Sequence, residues 1–299
     1  MRVSDTAKLV VLGGLITVGF VLQSDAQGRR PMRQHTTTEA QNLDLVAATV
    51  QLRGSKVKLR ASGDTVKIRA NGIPDHAVGQ FPNRGNPHEI KSQNYRFSTD
   101  TDQLPRVAKA FGMAGLFGIA VNGVPFDPAA AEFWKGKQQS GWQYEALGGA
   151  VTLGLDQNYA HVQPSGAYHY HGLPWGLMQQ LGWSSNKASP LIGYAADGFP
   201  IYAMTAKVNG KVREMTSSYR LKPGNRPGGA APSGRHDGAF VQDYQYQAGS
   251  GALDECNGAQ VVTDEFPGGT YAYFLSQSFP VIPRCLKGEA DRSFTKRRR

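Results

Sequence analysis

Apolar and polar residues alternate over short stretches from Leu45 onward. Three pairs of apolar residues stand two positions apart: Val50 with Leu52, Val57 with Leu59, and Val66 with Ile68. Turn-forming residues separate them at Gly54-Ser55 and Ser62-Gly63-Asp64. A period of two is typical of strands that bury one face. We therefore predict an N-terminal meander in which these apolar residues point inward.

Sustained helical periodicity is rare in the rest of the chain. Residues 129–134 and 175–181 are the two short stretches that favour helices. The 36 glycines and 17 prolines predict many turns and long connections. The fold class that follows is all-β or β-rich α+β, with antiparallel strands, long Gly/Pro-rich loops and one or two short helices.

The stretch YAHVQPSGAYHYHGLP, residues 159–174, holds three of the seven histidines. Its centre, Pro164-Ser165-Gly166, is typical of a three-residue hairpin loop, because Gly suits the left-handed third position. That loop pairs His161 with His169, and His171 then lies on the same face at i+2. A two-residue loop would instead place His161 opposite Tyr170.

Three imidazoles on one face of a hairpin form a set of ligands that suits zinc or copper. We predict a site for one ion at His161, His169 and His171, with His76 as the candidate fourth ligand. Metal-bound histidines commonly donate their second ring N–H to a nearby acceptor. The candidates for this supporting role are Asp197, which is also a turn residue, and the neighbours His236 and Asp237. Calcium at Asp254, Glu255 and Asn257 is the weaker alternative, because their spacing is not that of an EF-hand loop.

The N-terminus predicts export. Arg2 and Lys8 precede an apolar run that ends at Leu22, and Ser24-Asp25-Ala26 offers small residues for cleavage. We expect a signal peptide at 1–26 and a flexible leader at 27–44. Cleavage of the signal peptide would leave no transmembrane span, and the protein would be secreted or periplasmic. The alternative is that the apolar run stays uncleaved and anchors the protein in the membrane. Two cysteines in an exported chain, Cys256 and Cys285, predict one disulfide.

The net charge of +10 and the pI of about 9.6 indicate an excess of basic residues, part of which lies in the C-terminal run KRRR. We predict a basic disordered tail at 289–299 that could contact an anionic surface polymer. No zinc finger, RNP-type strand or DNA-binding helix is recognisable, so nucleic acid is not an expected partner.

Two classes of function are open. One is a metal-binding protein with possible hydrolytic or redox activity, and the other is a non-catalytic cell-surface or carbohydrate-binding module. Its aromatic platform would comprise Tyr159, Tyr168, Tyr170, Trp175 and Phe199.

Several longer blocks accompany the tetrapeptide Tyr168-His169-Tyr170-His171. They are NGIPDH, FPNRGNP, VNGVPFDP, GWQYEAL, LGLDQNYAHVQPSGAYHYHG, IGYAADGFPIY, LDECNG and TYAYFL, and they cover about residues 71–285. In these blocks the chain resembles the YHYH domain proteins, a largely exported or surface-associated group without an agreed activity. The resemblance implies a single YHYH-type domain, which we place at 45–288, and it implies export. It assigns neither a metal nor a substrate, and whether the chain is an enzyme stays open.

Overall fold

The computed structural model describes residues 35–110 and 115–296. The predicted signal peptide and the first part of the predicted leader lie outside the described residues.

Seventeen strands occur among the described residues. In chain order they are β1 Val57–Ser62, β2 Thr65–Ala70, β3 Tyr95–Asp100, β4 Lys109–Ala110, β5 Gly118–Ala120, β6 Pro125–Phe126, β7 Ala160–Val162, β8 Tyr168–Tyr170, β9 Gly193–Ala195, β10 Pro200–Ala203, β11 Thr205–Val208, β12 Lys211–Glu214, β13 Tyr219–Leu221, β14 Tyr244–Tyr246, β15 Gly258–Val261, β16 Thr270–Leu275 and β17 Cys285–Leu286. The α-helix α1 spans Trp175–Gln180, and 3-10 helices span Trp134–Gly136, Gln138–Ser140, Val241–Asp243 and Arg292–Phe294.

Eight of these strands form the largest sheet, in the order β15-β16-β10-β9-β5-β6-β8-β7. Most neighbours are antiparallel, whereas β10 with β16 and β6 with β8 are parallel pairs. The predicted fold class is confirmed: the chain is rich in antiparallel strands and has one short α-helix in its described part. The parallel pairs are a feature that local sequence patterns do not predict, because they join segments far apart in the chain.

The core lies on this sheet and is strongly aromatic. Its fully buried side chains include Phe117, Phe126, Tyr168, Tyr170 and Tyr273. Burial of such large rings supplies much of the free energy that favours the fold. The strand β8 is buried along its whole length, so the sheet holds it firmly at the edge where the histidine hairpin lies.

The predicted N-terminal meander is present as the sheet β1-β2-β3. Val66 and Ile68 on β2 are buried as predicted. Val57 and Leu59 on β1 point to the same face of the sheet as Val66 and Ile68. They are nevertheless 41% and 38% exposed, so the prediction that they are buried is wrong. The reason is position: β1 is an edge strand, and all six of its residues are exposed.

The described ends of the chain pack against the rest of the protein. In the segment predicted as a flexible leader, Gln41 N donates to Gly148 O and Tyr144 Oη donates to Thr37 O. In the segment predicted as a disordered tail, Phe294 is buried against Phe97, with ring centroids 4.5 Å apart. Residues 35–44 and 289–296 thus make specific contacts with the rest of the domain.

The predicted disulfide joins Cys256 to Cys285, with Cα atoms 5.1 Å apart. It links the turn before β15 to β17, and it leaves neither sulfur free as a metal ligand. No helix among the described residues has the length and apolar character needed to cross a membrane.

We expect the double variant Cys256→Ala/Cys285→Ala to lose about 3–4 kcal/mol of unfolding free energy in urea titrations, because the bridge closes a loop of roughly 30 residues. Reducing agent should destabilise the parent protein by a similar amount and leave the variant unchanged. A loss below about 1 kcal/mol would show that the bridge does not constrain the unfolded chain as this entropic model requires.

Candidate metal centre

The hairpin formed by β7 and β8 has the predicted register. His161 pairs with His169, and Val162 pairs with Tyr168. Gln163 N donates to Ala167 O at 3.0 Å, and Gly166 N donates to Gln163 O at 2.8 Å, which closes the three-residue loop. Gly166 has φ 84, a left-handed conformation that Gly adopts without strain.

The tyrosines of the tetrapeptide anchor the hairpin from its other face. Tyr168 Oη donates to Asp156 Oδ2 at 2.7 Å. Tyr170 Oη lies 2.6 Å from His76 Nε2 and accepts a hydrogen bond from Asn122 Nδ2. Because residues of a strand alternate between its faces, these contacts turn His169 and His171 to the opposite side.

The three histidines converge there on one point. His171 Nε2 lies 2.9 Å from His169 Nε2 and 3.1 Å from His161 Nε2. His169 and His171 are 2% and 3% exposed, whereas His161 is only partly buried. They form the one group of three or more His, Cys, Asp or Glu residues in the described part of the chain that is close enough to share an ion.

Backbone carbonyls determine where the imidazole protons lie. His161 Nδ1 is 2.8 Å from Leu153 O, and His169 Nδ1 is 3.2 Å from Ala167 O. A carbonyl oxygen only accepts, so both Nδ1 atoms carry hydrogen and, in the neutral rings, both Nε2 atoms present lone pairs. His171 Nδ1 is buried without a hydrogen-bond partner among the described residues. His171 can donate a hydrogen bond from Nε2 to either His169 or His161, but its Nδ1 then has no hydrogen-bond partner.

Burial keeps these rings neutral. Desolvation, followed by the charge of His169, lowers the pKa of His161 to about 3. Desolvation lowers the pKa of His169 to about 4. The pKa of His171 falls well below its usual value, through desolvation and then through its two histidine neighbours. Converging lone pairs therefore cannot be relieved by protonation near neutral pH.

His76 is not brought together with the three histidines. Its Nε2 bonds Tyr170 Oη, and its Nδ1 donates to Ala77 O at 2.9 Å. Both ring nitrogens are thus used on the tyrosine side of the hairpin, where His76 supports Tyr170. A fourth ligand from His76 would require these two hydrogen bonds to break.

The residues predicted to support the ligands also lie elsewhere. Asp197 is a turn residue whose Oδ2 accepts from Tyr273 Oη at 2.6 Å and from Gly288 N at 2.8 Å. Asp237 pairs with Arg226, and His236 Nδ1 is 3.2 Å from Pro223 O. The carbonyls of Leu153 and Ala167 take the supporting role that we assigned to these side chains.

The two carboxylates considered for calcium, Asp254 and Glu255, make other contacts, whereas Asn257 Oδ1 is buried without a hydrogen-bond partner among the described residues. Asp254 Oδ1 accepts from the backbone N–H groups of Cys256 and Gly258, both at 2.9 Å. Lys287 Nζ lies 2.5 Å from Glu255 Oε1 and 3.7 Å from Asp254 Oδ2. The ammonium group of Lys287 thus contacts the carboxylate oxygens that a calcium ion would need as ligands.

Two ion pairs whose carboxylates are buried were not predicted. Lys296 Nζ lies 2.6 Å from Asp127 Oδ2, to which Gln163 also donates. Arg284 lies 2.6 Å from Glu145 Oε2. Both cations add to the lowering of the pKa of His171 through their charge, after desolvation and the two neighbouring histidines. Asp127 follows β6, the parallel neighbour of β8, so its position could not be read from local patterns.

Burial affects the two carboxylates of these pairs in the same direction. Desolvation raises the pKa of Asp127, and Lys296 opposes that change. Burial likewise raises the pKa of Glu145, and Arg284 opposes it. Asp127 Oδ1 and Arg284 Nε are buried without a hydrogen-bond partner among the described residues. The centre therefore has unsatisfied polar atoms next to it as well as within it.

We expect the metal-free protein to lose stability as the pH falls from about 6.5 through 4. The pKa of His161 is lowered to about 3 in the folded protein. Between this value and about 6.5, the histidine is protonated in the unfolded chain but not in the folded one. One such histidine contributes a slope of up to about 1.4 kcal/mol per pH unit in this window. In urea titrations with chelator, His161→Gln should flatten the dependence, and His236→Gln should leave it unchanged. Equal slopes in all three proteins would contradict a neutral buried cluster.

Comparison with known proteins identifies the family. The family model described as "YHYH protein" matches residues 96–288, which include the hairpin and both cysteines. The blocks at 71–87 that we also assigned to the family fall outside this match. Searches of curated proteins and of solved structures found no match to the chain. Since the match covers more than half of the sequence and includes the tetrapeptide at 168–171, the chain belongs to the YHYH protein family.

Proposed function

We propose that this protein binds one zinc or copper ion through the Nε2 atoms of His161, His169 and His171. The observation that carries the proposal is the proton placement: two of these rings donate from Nδ1 to carbonyls, and their Nε2 lone pairs point at the third ring. The Nε2 hydrogen of a neutral His171 can satisfy one of these lone pairs, which leaves the other facing His171 Nε2 without a donor. Because the pKa values of the rings are low, protons do not compete for these nitrogens near neutral pH, and the lone pairs stay available to a metal ion.

The distances support this proposal. Zinc–imidazole bonds of about 2.0–2.1 Å in tetrahedral geometry place ligand nitrogens about 3.3 Å apart. The observed separations of 2.9 and 3.1 Å are shorter by a few tenths of an ångström. These two separations would have to open by that amount to admit an ion, and all three ligand atoms lie within 4.8 Å of one another.

The type of ligand narrows the choice of metal. Imidazole nitrogen suits zinc and copper, whereas calcium and magnesium prefer oxygen. The cysteines are joined to each other, and the nearby carboxylates of Asp127 and Glu145 are paired with cations. These pairs also matter for charge: each cation near His171 is neutralised by its own carboxylate, so it does not strongly oppose a metal ion.

Three protein ligands leave a position open for chemistry, and this makes a hydrolytic or redox role part of the proposal. Bound zinc would supply Lewis acidity, and bound copper would supply electron transfer. Asp127 has one carboxylate oxygen without a partner, next to the centre, which could hold a proton. Lys296 and Arg284 could orient an anionic group near His171.

The alternative of an aromatic binding platform loses support. Tyr168 and Tyr170 are 0% exposed, and Phe199 is 1% exposed. These three rings form core rather than a surface, so they are not available to stack on a sugar ring. Tyr159 and Trp175 are partly buried and pack against the same core.

Export is also part of the proposal. Disulfides persist mainly in oxidising compartments, and Cys256 is bonded to Cys285 in this structure. The predicted signal peptide agrees with this reading. A secreted or periplasmic protein would meet zinc or copper outside the cytosol.

We expect tag-free protein to retain one equivalent of zinc or copper per chain after reconstitution and dialysis, measured by elemental analysis. The double variant His169→Gln/His171→Gln should retain almost none, because two of the three ligands are lost. His236→Gln serves as the matched control and should bind like the parent. Competition between the two ions, followed by electron paramagnetic resonance for copper, would decide which ion is preferred.

Less than half an equivalent in the parent protein would contradict the proposal. Equal metal retention in the double variant would do so as well, since it would place the ion elsewhere.

A further inference from the structure

A second concentration of functional groups lies on the sheet β1-β2-β3, away from the histidine centre. The exposed face of this sheet carries five basic side chains: Lys58, Arg60, Lys67, Arg69 and Arg96. Alternating residues of β2 are buried, so the basic residues share the solvent face. The sheet thus has one apolar face toward the core and one strongly positive face.

The register places these cations directly against one another. Lys58 pairs with Arg69, which pairs with Arg96 on β3. In the neighbouring row, Arg60 pairs with Lys67. Like charges directly opposite in a sheet are destabilising. The arrangement is therefore unfavourable for the sheet alone and indicates another role.

Carboxylates do not compensate this face. None of the five cations forms an ion pair or a side-chain hydrogen bond within the described residues. Asp100, opposite Thr65, is the acidic residue that shares the face, and its Oδ1 accepts from Asp102 N. Elsewhere in the described chain Arg226, Arg284, Lys287 and Lys296 pair with acids, whereas Lys211 and Arg213 on β12 form no ion pair either.

Protection of a sheet edge does not account for the pattern. Basic residues on an edge strand prevent unwanted strand pairing, and β1 is such an edge. Lys67 and Arg69, however, lie on the central strand β2, where no free edge needs protection. Together with Lys58 and Arg60 they line a shallow depression of about 300 Å³.

We propose that this face binds a linear phosphate polymer through its charged groups. Alternate residues along a strand are about 6.6–6.8 Å apart, and neighbouring strands lie about 4.8 Å apart, so the cations form a two-row grid. Besides Asp100, the other side chains on the face are Ser62, Thr65 and Ser98, which are small and polar. No aromatic ring lies among them to stack on a base, so recognition rests on phosphate charge alone.

The test measures binding of polyphosphate by titration calorimetry at several salt concentrations. The face variant is Lys67→Gln/Arg69→Gln. Its matched control is Lys211→Gln/Arg213→Gln on β12, which removes the same charge where the opposing residues are Val208 and Ala206. We expect the face variant to bind at least about tenfold more weakly, and its salt slope to fall by about 1 for each lost contact. The control should change affinity less than about twofold.

Several results would overturn the proposal. The parent protein could fail to bind polyphosphate, or both variants could lose affinity equally, which would show only an effect of net charge. Binding to anionic lipid vesicles but not to polyphosphate would assign the face to a membrane surface. A tenfold preference for single-stranded DNA over polyphosphate of equal charge would indicate base contacts that the face does not offer.

Folding provides an independent check. Because the face variant removes opposed like charges, its thermal unfolding midpoint without ligand should equal or exceed that of the parent. A lower midpoint would show that these cations stabilise the sheet and would contradict the argument.

Discussion

The pairing of His161 with His169 across a three-residue turn is the constraint on which the centre depends. A strand has a side-chain period of two, so a slip of one residue would move His169 to the other face. The turn at Pro164–Gly166 and the burial of β8 prevent that slip. The same register that places two tyrosines in the core therefore places the imidazoles together.

The opposite face of the hairpin stabilises this arrangement. Asp156 is fully buried and accepts from Tyr168 Oη, Gly79 N and Asn158 N. Tyr170 is held between Asn122 and His76. Removing one partner of a buried hydrogen-bonded group leaves the other partner unsatisfied, at a cost of about 1–3 kcal/mol. The polar network behind the tyrosines thus makes it costly to rotate the histidines away.

Local patterns were enough to predict the hairpin, because turn chemistry and alternation act within a dozen residues. They were not enough for the surroundings of the centre. Asp127 arrives through a parallel pairing of β6 with β8, and Lys296 arrives because Phe294 is buried against Phe97. His76 was predicted as a fourth ligand, but its loop packs on the face of the hairpin that carries Tyr170. Local sequence patterns do not indicate on which face of the hairpin this loop packs. Long-range packing decided each of these positions.

The central claim is that His161 and His169 present unprotonated Nε2 atoms to a shared ion. Long-range proton–nitrogen correlation spectra of the histidine rings test it most directly. Without metal at pH 7, both rings should be neutral with hydrogen on Nδ1, and one equivalent of zinc should shift the Nε2 resonances of all three histidines. Hydrogen on Nε2 of His161 and His169, or Nε2 resonances that zinc leaves unchanged, would contradict the account.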